Sequence, residues 1–115
     1  MKKTKLPKPV QKWVKALRSG KYRQTKHQLG RFGAFCCLGV ACKLAVAEGI
    51  IKDKDFKRGD ESLPKPVQDW LGMKSSVGAL GSYSLASMND NGEPFTRIAD
   101  EIESRWTSLR STFSK

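Results

Sequence analysis

Long apolar runs are absent from this chain of 115 residues, and no stretch of about 18 apolar residues occurs anywhere in it. The sequence therefore predicts no membrane-spanning helix and no membrane partner. The lysines near the N-terminus are not followed by an apolar segment, so we expect no secretory signal and a cytoplasmic location. The length predicts a single domain at residues 6–115, preceded by a loose basic tail at residues 1–5.

Cysteine and histidine are scarce, with three cysteines and one histidine in the whole chain. Cys36, Cys37 and Cys42 crowd into one segment, which is a poor basis for disulfides, so we expect free thiols. With His27 they have the donor atoms of a zinc site, but no CxxC spacing occurs, and we predict neither a metal nor another cofactor. A cysteine enzyme with Cys36 as nucleophile and His27 as base is a distant alternative to a protein without catalytic residues.

Acidic residues are missing from the first part of the chain. Residues 1–32 contain eleven basic residues and no acidic one, whereas residues 33–115 contain eleven of each. The formal net charge of +11 therefore arises entirely within the first 32 residues. Such an asymmetric distribution indicates an anionic partner for this part of the protein.

The apolar pattern predicts a mainly helical protein, either a small α or a small α+β domain. Residues 35–48 are apolar on nearly all sides, which is typical of a buried helix, with Gly39 and Ala41 allowing another backbone to come close. A stripe from Phe95 to Phe113 predicts one last amphipathic helix. We interpret residues 20–33 as a loop with short extended pieces, and residues 75–84 are compatible with a small β-hairpin.

One phrase of nine residues occurs twice, as LPKPVQKWV at residues 6–14 and as LPKPVQDWL at residues 63–71, with seven identities. Each copy predicts a short helix that opens with a proline turn and carries a tryptophan anchor. We therefore expect two packed helix–loop–helix halves, at residues 6–57 and 63–115, and buried side chains for all three tryptophans. Duplication explains the phrase; the alternative is that similar proline-led helix starts arose twice.

The phrase differs at one charged position, Lys12 in the first copy and Asp69 in the second. We expect both to lie on exposed helix faces, the first uniformly basic and the second mixed. Residues 85–102 have the layout of a helix-turn-helix, but the second helix would present carboxylates to DNA phosphates, so a packed helical hairpin is favoured. Asn89 and Asp90 fit a turn; the alternative is that they line a cleft between helices.

The basic N-terminal third is the candidate ligand-binding surface. Its lysines and arginines can bind phosphate, Tyr22 can stack on a base, and Gln24 can hydrogen-bond to the edges of bases. We predict binding of a phosphate-bearing ligand, a nucleotide signal or nucleic acid, without turnover. The alternative is an inhibitor that docks on an acidic host protein, and homo-oligomer formation stays open. The predicted ligand-binding residues are Lys12, Lys15, Lys21, Tyr22, Arg23, Gln24, Lys26 and Arg31.

Several segments together resemble a family of small, mostly uncharacterised proteins encoded by bacteriophages. They are ALRSGKYRQ (16–24), FCCLGVACKLA (35–45), LPKPVQDWLG (63–72) and LASMNDNGEPFTRIADEIE (85–103). Members typically have tyrosine where this chain has Phe35, and often an acidic residue where it has Lys43. The resemblance implies an accessory protein acting in the cytoplasm of an infected bacterium, typically against host defences, and it implies no catalytic residues.

Overall fold

The computed structural model describes residues 6–111 and gives a small α+β domain that is mainly helical, as the sequence predicts. A single turn of 3-10 helix at Asp53–Asp55 interrupts the connector in the middle of the chain. The strands are β1 (Arg23–Gln24), β2 (Gly30–Arg31) and β3 (Ala34–Phe35). The helices are α1 (Lys8–Arg18), α2 (Cys37–Ala47), α3 (Lys65–Leu71), α4 (Leu85–Asp90), α5 (Phe95–Ser104) and α6 (Trp106–Leu109).

Helix α2 is the central element and packs against α1, α3, α4 and β3. Most of its residues are buried, which confirms the interpretation of this apolar segment as a core helix. A Cβ atom on Gly39 would lie 1.8 Å from the carbonyl oxygen of Leu29. Only glycine therefore fits at the point where the chain before β2 crosses the first turn of α2, as expected for a close backbone approach.

The three short strands form one sheet in the order β1-β3-β2, with β1 parallel and β2 antiparallel to β3. Phe32 and Gly33 connect β2 to β3 and have φ angles of 51° and 78°. Positive φ at both central residues is what a two-residue type I′ hairpin turn requires. The extended pieces expected within residues 20–33 are therefore present, and they belong to a sheet.

Two features of the second half of the chain differ from expectation. Residues 75–84 form a single antiparallel bridge between Ala79 and Ser84, which is less than a strand pair, and the glycines at 78 and 81 adopt left-handed backbone. The last helix is broken at Arg105, whose φ of −116° and ψ of 21° end α5 and let Trp106 turn into the core. The tail at residues 1–5 and Phe113 lie outside the described residues.

The two copies of the repeated phrase both begin helices with a proline in the first turn, as predicted. The copies differ at the tryptophan: Trp13 is fully buried, and its Nε1 donates to the carbonyl oxygen of Cys37 at 2.9 Å. Trp70 is only half-buried, so it is a weaker anchor than expected. The duplication itself stays a prediction.

Candidate functional site

Two of the four basic side chains of α1, Lys12 and Arg18, have acidic partners from distant parts of the chain. Lys12 Nζ lies 2.6 Å from a carboxylate oxygen of Glu48, which caps the C-terminal end of α2. Arg18 Nη2 contacts Asp100 at 2.7 Å and Glu103 at 3.0 Å, both on α5. Hydrogen bonds to Glu103 and then Asp100 raise the pKa of the Arg18 guanidinium. Half of the basic residues of α1 are therefore neutralised within the domain.

Lys15, also on α1, is exposed and lines a shallow groove of about 480 Å³ that includes Arg18 and Glu103. The groove is mostly apolar, and the carboxylate of Glu103 lies at its edge. Such a groove brings one predicted cation, Lys15, next to a negative charge. It is a poor site for a phosphate.

The sheet presents basic residues in a different setting. Arg23 on β1 and Arg31 on β2 are both paired in register with Ala34 on the central strand. Residues in register across neighbouring strands project from the same face of a sheet, so the two guanidinium groups lie on one face. Both arginines are exposed, and neither makes an ion pair with any residue from 6 to 111.

Lys21 precedes Arg23 in the chain, and Lys26 lies between Arg23 and Arg31. Both are exposed, and the described part of the protein places no carboxylate within ion-pair distance of either. The Lys26 ammonium lies beside the turn at Gly92, 3.6 Å from where a Cβ atom on that glycine would be. The four cations between residues 21 and 31 are therefore free to bind an external anion.

Tyr22 and Gln24 alternate with Arg23 along the strand and are engaged inside the domain. Tyr22 is half-buried and packs edge-on against Phe35, with ring centroids 6.2 Å apart. Gln24 Nε2 donates to Asn89 Oδ1 at 2.8 Å and to the carbonyl oxygen of Glu93 at 2.7 Å. Of the predicted ligand-binding residues, these two therefore support the fold in this conformation.

Asn89 connects three elements and is completely buried. Its Oδ1 accepts from Gln24 and from the backbone N–H of Cys37 at 3.1 Å, and its Nδ2 donates to the carbonyl oxygen of Thr25 at 2.7 Å. The side chain thus links β1 and the first turn of α2 to α4. The sequence predicted a turn or a cleft at this position, and the structure shows a buried polar link.

A second cleft, of about 260 Å³, lies beside this link and is lined by His27, Cys36, Ser84 and Asp90 among others. The backbone N–H of His27 donates to Asp90 Oδ1 at 2.7 Å, and the imidazole Nδ1 lies 3.4 Å from Asp90 Oδ2. Burial raises the pKa of the Cys36 thiol, which opposes the effect expected of a helix N-terminus. The cleft therefore holds a histidine–aspartate pair and a thiol that favours its protonated form.

The other two cysteines are also free and buried. Burial raises the pKa of Cys42 to about 12 and that of Cys37 well above its ordinary value. Within residues 6–111, no group of three or more histidine, cysteine or carboxylate side chains is placed to hold a metal ion. None of the helices in the same range is long and apolar enough to cross a membrane.

A family model described as "Domain of unknown function (DUF8296)" matches residues 6–106. The chain belongs to the DUF8296 family. The match contains α1 to α5 and all three strands, so the sheet with its arginine pair lies within the DUF8296 domain. No curated protein and no solved structure matches the chain.

Phe32, at the tip of the β2–β3 hairpin of this DUF8296 domain, was not among the residues predicted to bind a ligand. Its side chain is 87% exposed, and its backbone has a positive φ. The only sequence signal is an aromatic residue directly before Gly33 in a short polar segment. That signal is weak, because Asn-Gly or Asp-Gly is the usual mark of such a turn.

Proposed function

We propose that this DUF8296 protein binds nucleic acid, without turning it over, through contacts between its sheet arginines and the phosphate backbone. The observation that supports the proposal is the pair Arg23 and Arg31, two exposed side chains on the same side of the sheet with no carboxylate in reach among the described residues. An arginine without an internal partner keeps its planar set of donors for phosphate oxygens. Lys21 and Lys26 would add charge at the edges of the contact.

The spacing of the two arginines favours a polymer over a single nucleotide. They lie on the outer strands of a three-stranded sheet, so their Cα atoms are about 9.5 Å apart, two strand spacings. Side chains this far apart on an exposed face suit separate phosphates of one chain. The resemblance to phage-encoded proteins is the sole support for a counter-defence role in an infected bacterium, which we include in the proposal on that basis.

The test is a titration of labelled single-stranded and duplex DNA of about 15 nucleotides, followed by fluorescence anisotropy at several salt concentrations. Neutralising both arginines, R23Q with R31Q, should lower affinity about 25- to 60-fold near 0.1 M salt, because each lost phosphate contact removes part of the counterion release. The salt slope should fall by about one for each arginine.

The matched control is K74Q with R110Q, which removes the same charge from two exposed residues that have no ion pair among those described. These residues lie at the bridge between Met73 and Arg110, near α3 and α6, away from the sheet. The control variant should bind almost as well as the natural protein. Equal loss in both variants, or no binding of either DNA, would overturn the proposal and make an acidic host protein the partner to test.

A further inference from the structure

Phe32 occupies a position that neither turn chemistry nor burial explains. It is the first central residue of the β2–β3 turn, where φ is 51°, and bulky residues are outliers in this left-handed region. Asparagine, aspartate and glycine are the residues that suit such a position. The side chain is 87% exposed, whereas Ile50, the other exposed large hydrophobic residue of the described chain, is 37% exposed.

His27 shows how the fold compensates a similar strain elsewhere. Its φ is 70°, and its backbone N–H and imidazole both face the carboxylate of Asp90. Among the described residues, none compensates Phe32 in this way; its ring faces the guanidinium of Arg31, 5.0 Å from the ring centroid, on the surface. Strained residues that the surrounding structure holds in place cluster at functional sites.

The hairpin holds this aromatic tip firmly. Gly30, Ala34 and Phe35 on either side of the turn are buried. Preceding them, Leu29 donates its N–H to the carbonyl oxygen of Asp60 at 2.7 Å and accepts from the N–H of Cys36 at 3.1 Å. A tip fixed on both sides loses little conformational freedom when it binds a partner.

We infer that Phe32 stacks on an unpaired base, so that single-stranded nucleic acid is the preferred substrate of this domain. The inference rests on the proposed function, since it assigns the form of nucleic acid that the arginine face binds. Every base has a π-face, so stacking on Phe32 tolerates any sequence, and Arg31 beside the ring reaches an adjacent phosphate. In a duplex the faces of the bases are covered by their neighbours, which leaves the ring without a partner.

The experiment compares three probes of about 15 nucleotides each: a single strand, its duplex, and an abasic strand that keeps the phosphates. The natural protein should bind the single strand at least about fivefold more tightly than the abasic strand, because stacking on one base is worth at least that factor. The F32N variant has a residue that suits the turn. This variant should lose the preference for the single strand over the abasic strand, bind the abasic strand with unchanged affinity and keep the same salt slope.

F32Y retains a ring and should bind the single strand like the natural protein, which separates stacking from a general effect on the turn. I50N changes the other exposed large hydrophobic residue of the described chain and should leave the affinity for all three probes unchanged. An unaltered affinity of F32N for the single strand, or equal binding of the single and abasic strands by the natural protein, would overturn the inference while leaving phosphate binding intact. Absence of binding to all three probes would overturn the proposed function as well.

Discussion

Helix α1 and the segment from Lys21 to Arg31 follow each other in the chain and carry the same kind of charge, yet the fold treats them differently. On α1, Lys12 and Arg18 are paired with carboxylates, and the opposite face of the helix is buried. In the later segment the cations are exposed and have no acidic partner among residues 6–111. A basic stretch of sequence thus divides into a helix in which two of four cations are paired within the domain and a segment whose cations have no described acidic partner.

The difference arises from residues far away in the sequence. The partners of Lys12 and Arg18 lie 36, 82 and 85 residues further along the chain. No local pattern shows that α1 will meet these acids while the sheet will not. Counting charges along a sequence therefore identifies the candidate region, and only the fold shows which cations remain free for a ligand.

The largest expected effect concerns helix α1. Trp13→Ala should lower the free energy of unfolding by about 3–5 kcal/mol, because it empties a fully buried site and removes the hydrogen bond to Cys37. Trp70→Ala changes the same residue of the repeated phrase and should cost clearly less, since Trp70 is half-buried. Urea denaturation of both variants measures this, and an equal loss would contradict the contrast between the two copies.

The next effect concerns the attachment of the sheet to the helices. Asn89→Ala should cost about 2–4 kcal/mol, because it leaves the N–H of Cys37 and the carbonyl of Thr25 without their buried partner. Asn91→Ala, at an exposed position of the same turn, is the control and should change stability by less than about 0.5 kcal/mol. Hydrogen exchange at Cys37 should accelerate in the first variant; unchanged exchange would argue against the link.

A gain of stability is expected at the hairpin tip. Phe32→Asn should raise the free energy of unfolding by about 0.5–1 kcal/mol, because asparagine adopts the left-handed backbone with less strain and little buried surface is lost. Gly33→Ala, which has a similar φ, should instead destabilise by about 1 kcal/mol. Thermal unfolding shows whether each variant gains or loses stability, and a loss in Phe32→Asn would show that the ring supports the fold.

The smallest expected effect is the difference in stability cost between an ion-paired arginine, Arg18, and one without a described acidic partner, Arg31. Arg18→Ala should cost less than about 1 kcal/mol, since its ion pairs are near the surface, and the loss should shrink as salt is added. Arg31→Ala should show no salt-dependent loss, because no carboxylate of the described chain faces it. Denaturation at low and high salt compares the two; a salt-dependent loss in Arg31→Ala would reveal a missing partner.

The sequence predicted the central helix and the proline-led helix starts well, because an apolar segment and a proline act locally. It did not predict the sheet, since strands of two residues are too short to show alternation. The buried role of Asn89 was also beyond local patterns, because its partners lie 52 to 65 residues away. Phe32 was missed because it stands where asparagine or aspartate usually precedes the glycine of such a turn.

The close crossing of Leu29 over Gly39 also bears on the order in which the protein folds. This contact and the Leu29–Cys36 hydrogen bond join residues at most ten apart, so the loop they close costs little entropy. The Asn89 link closes a far longer loop. We expect the hairpin and the start of α2 to form early. In folding kinetics, the fraction of the stability change that appears in the folding rate (the φ-value) should be clearly larger for Leu29→Ala than for Asn89→Ala. The aromatic tip would then form with the N-terminal half of the domain, before α4 docks through Asn89 on β1 and the start of α2.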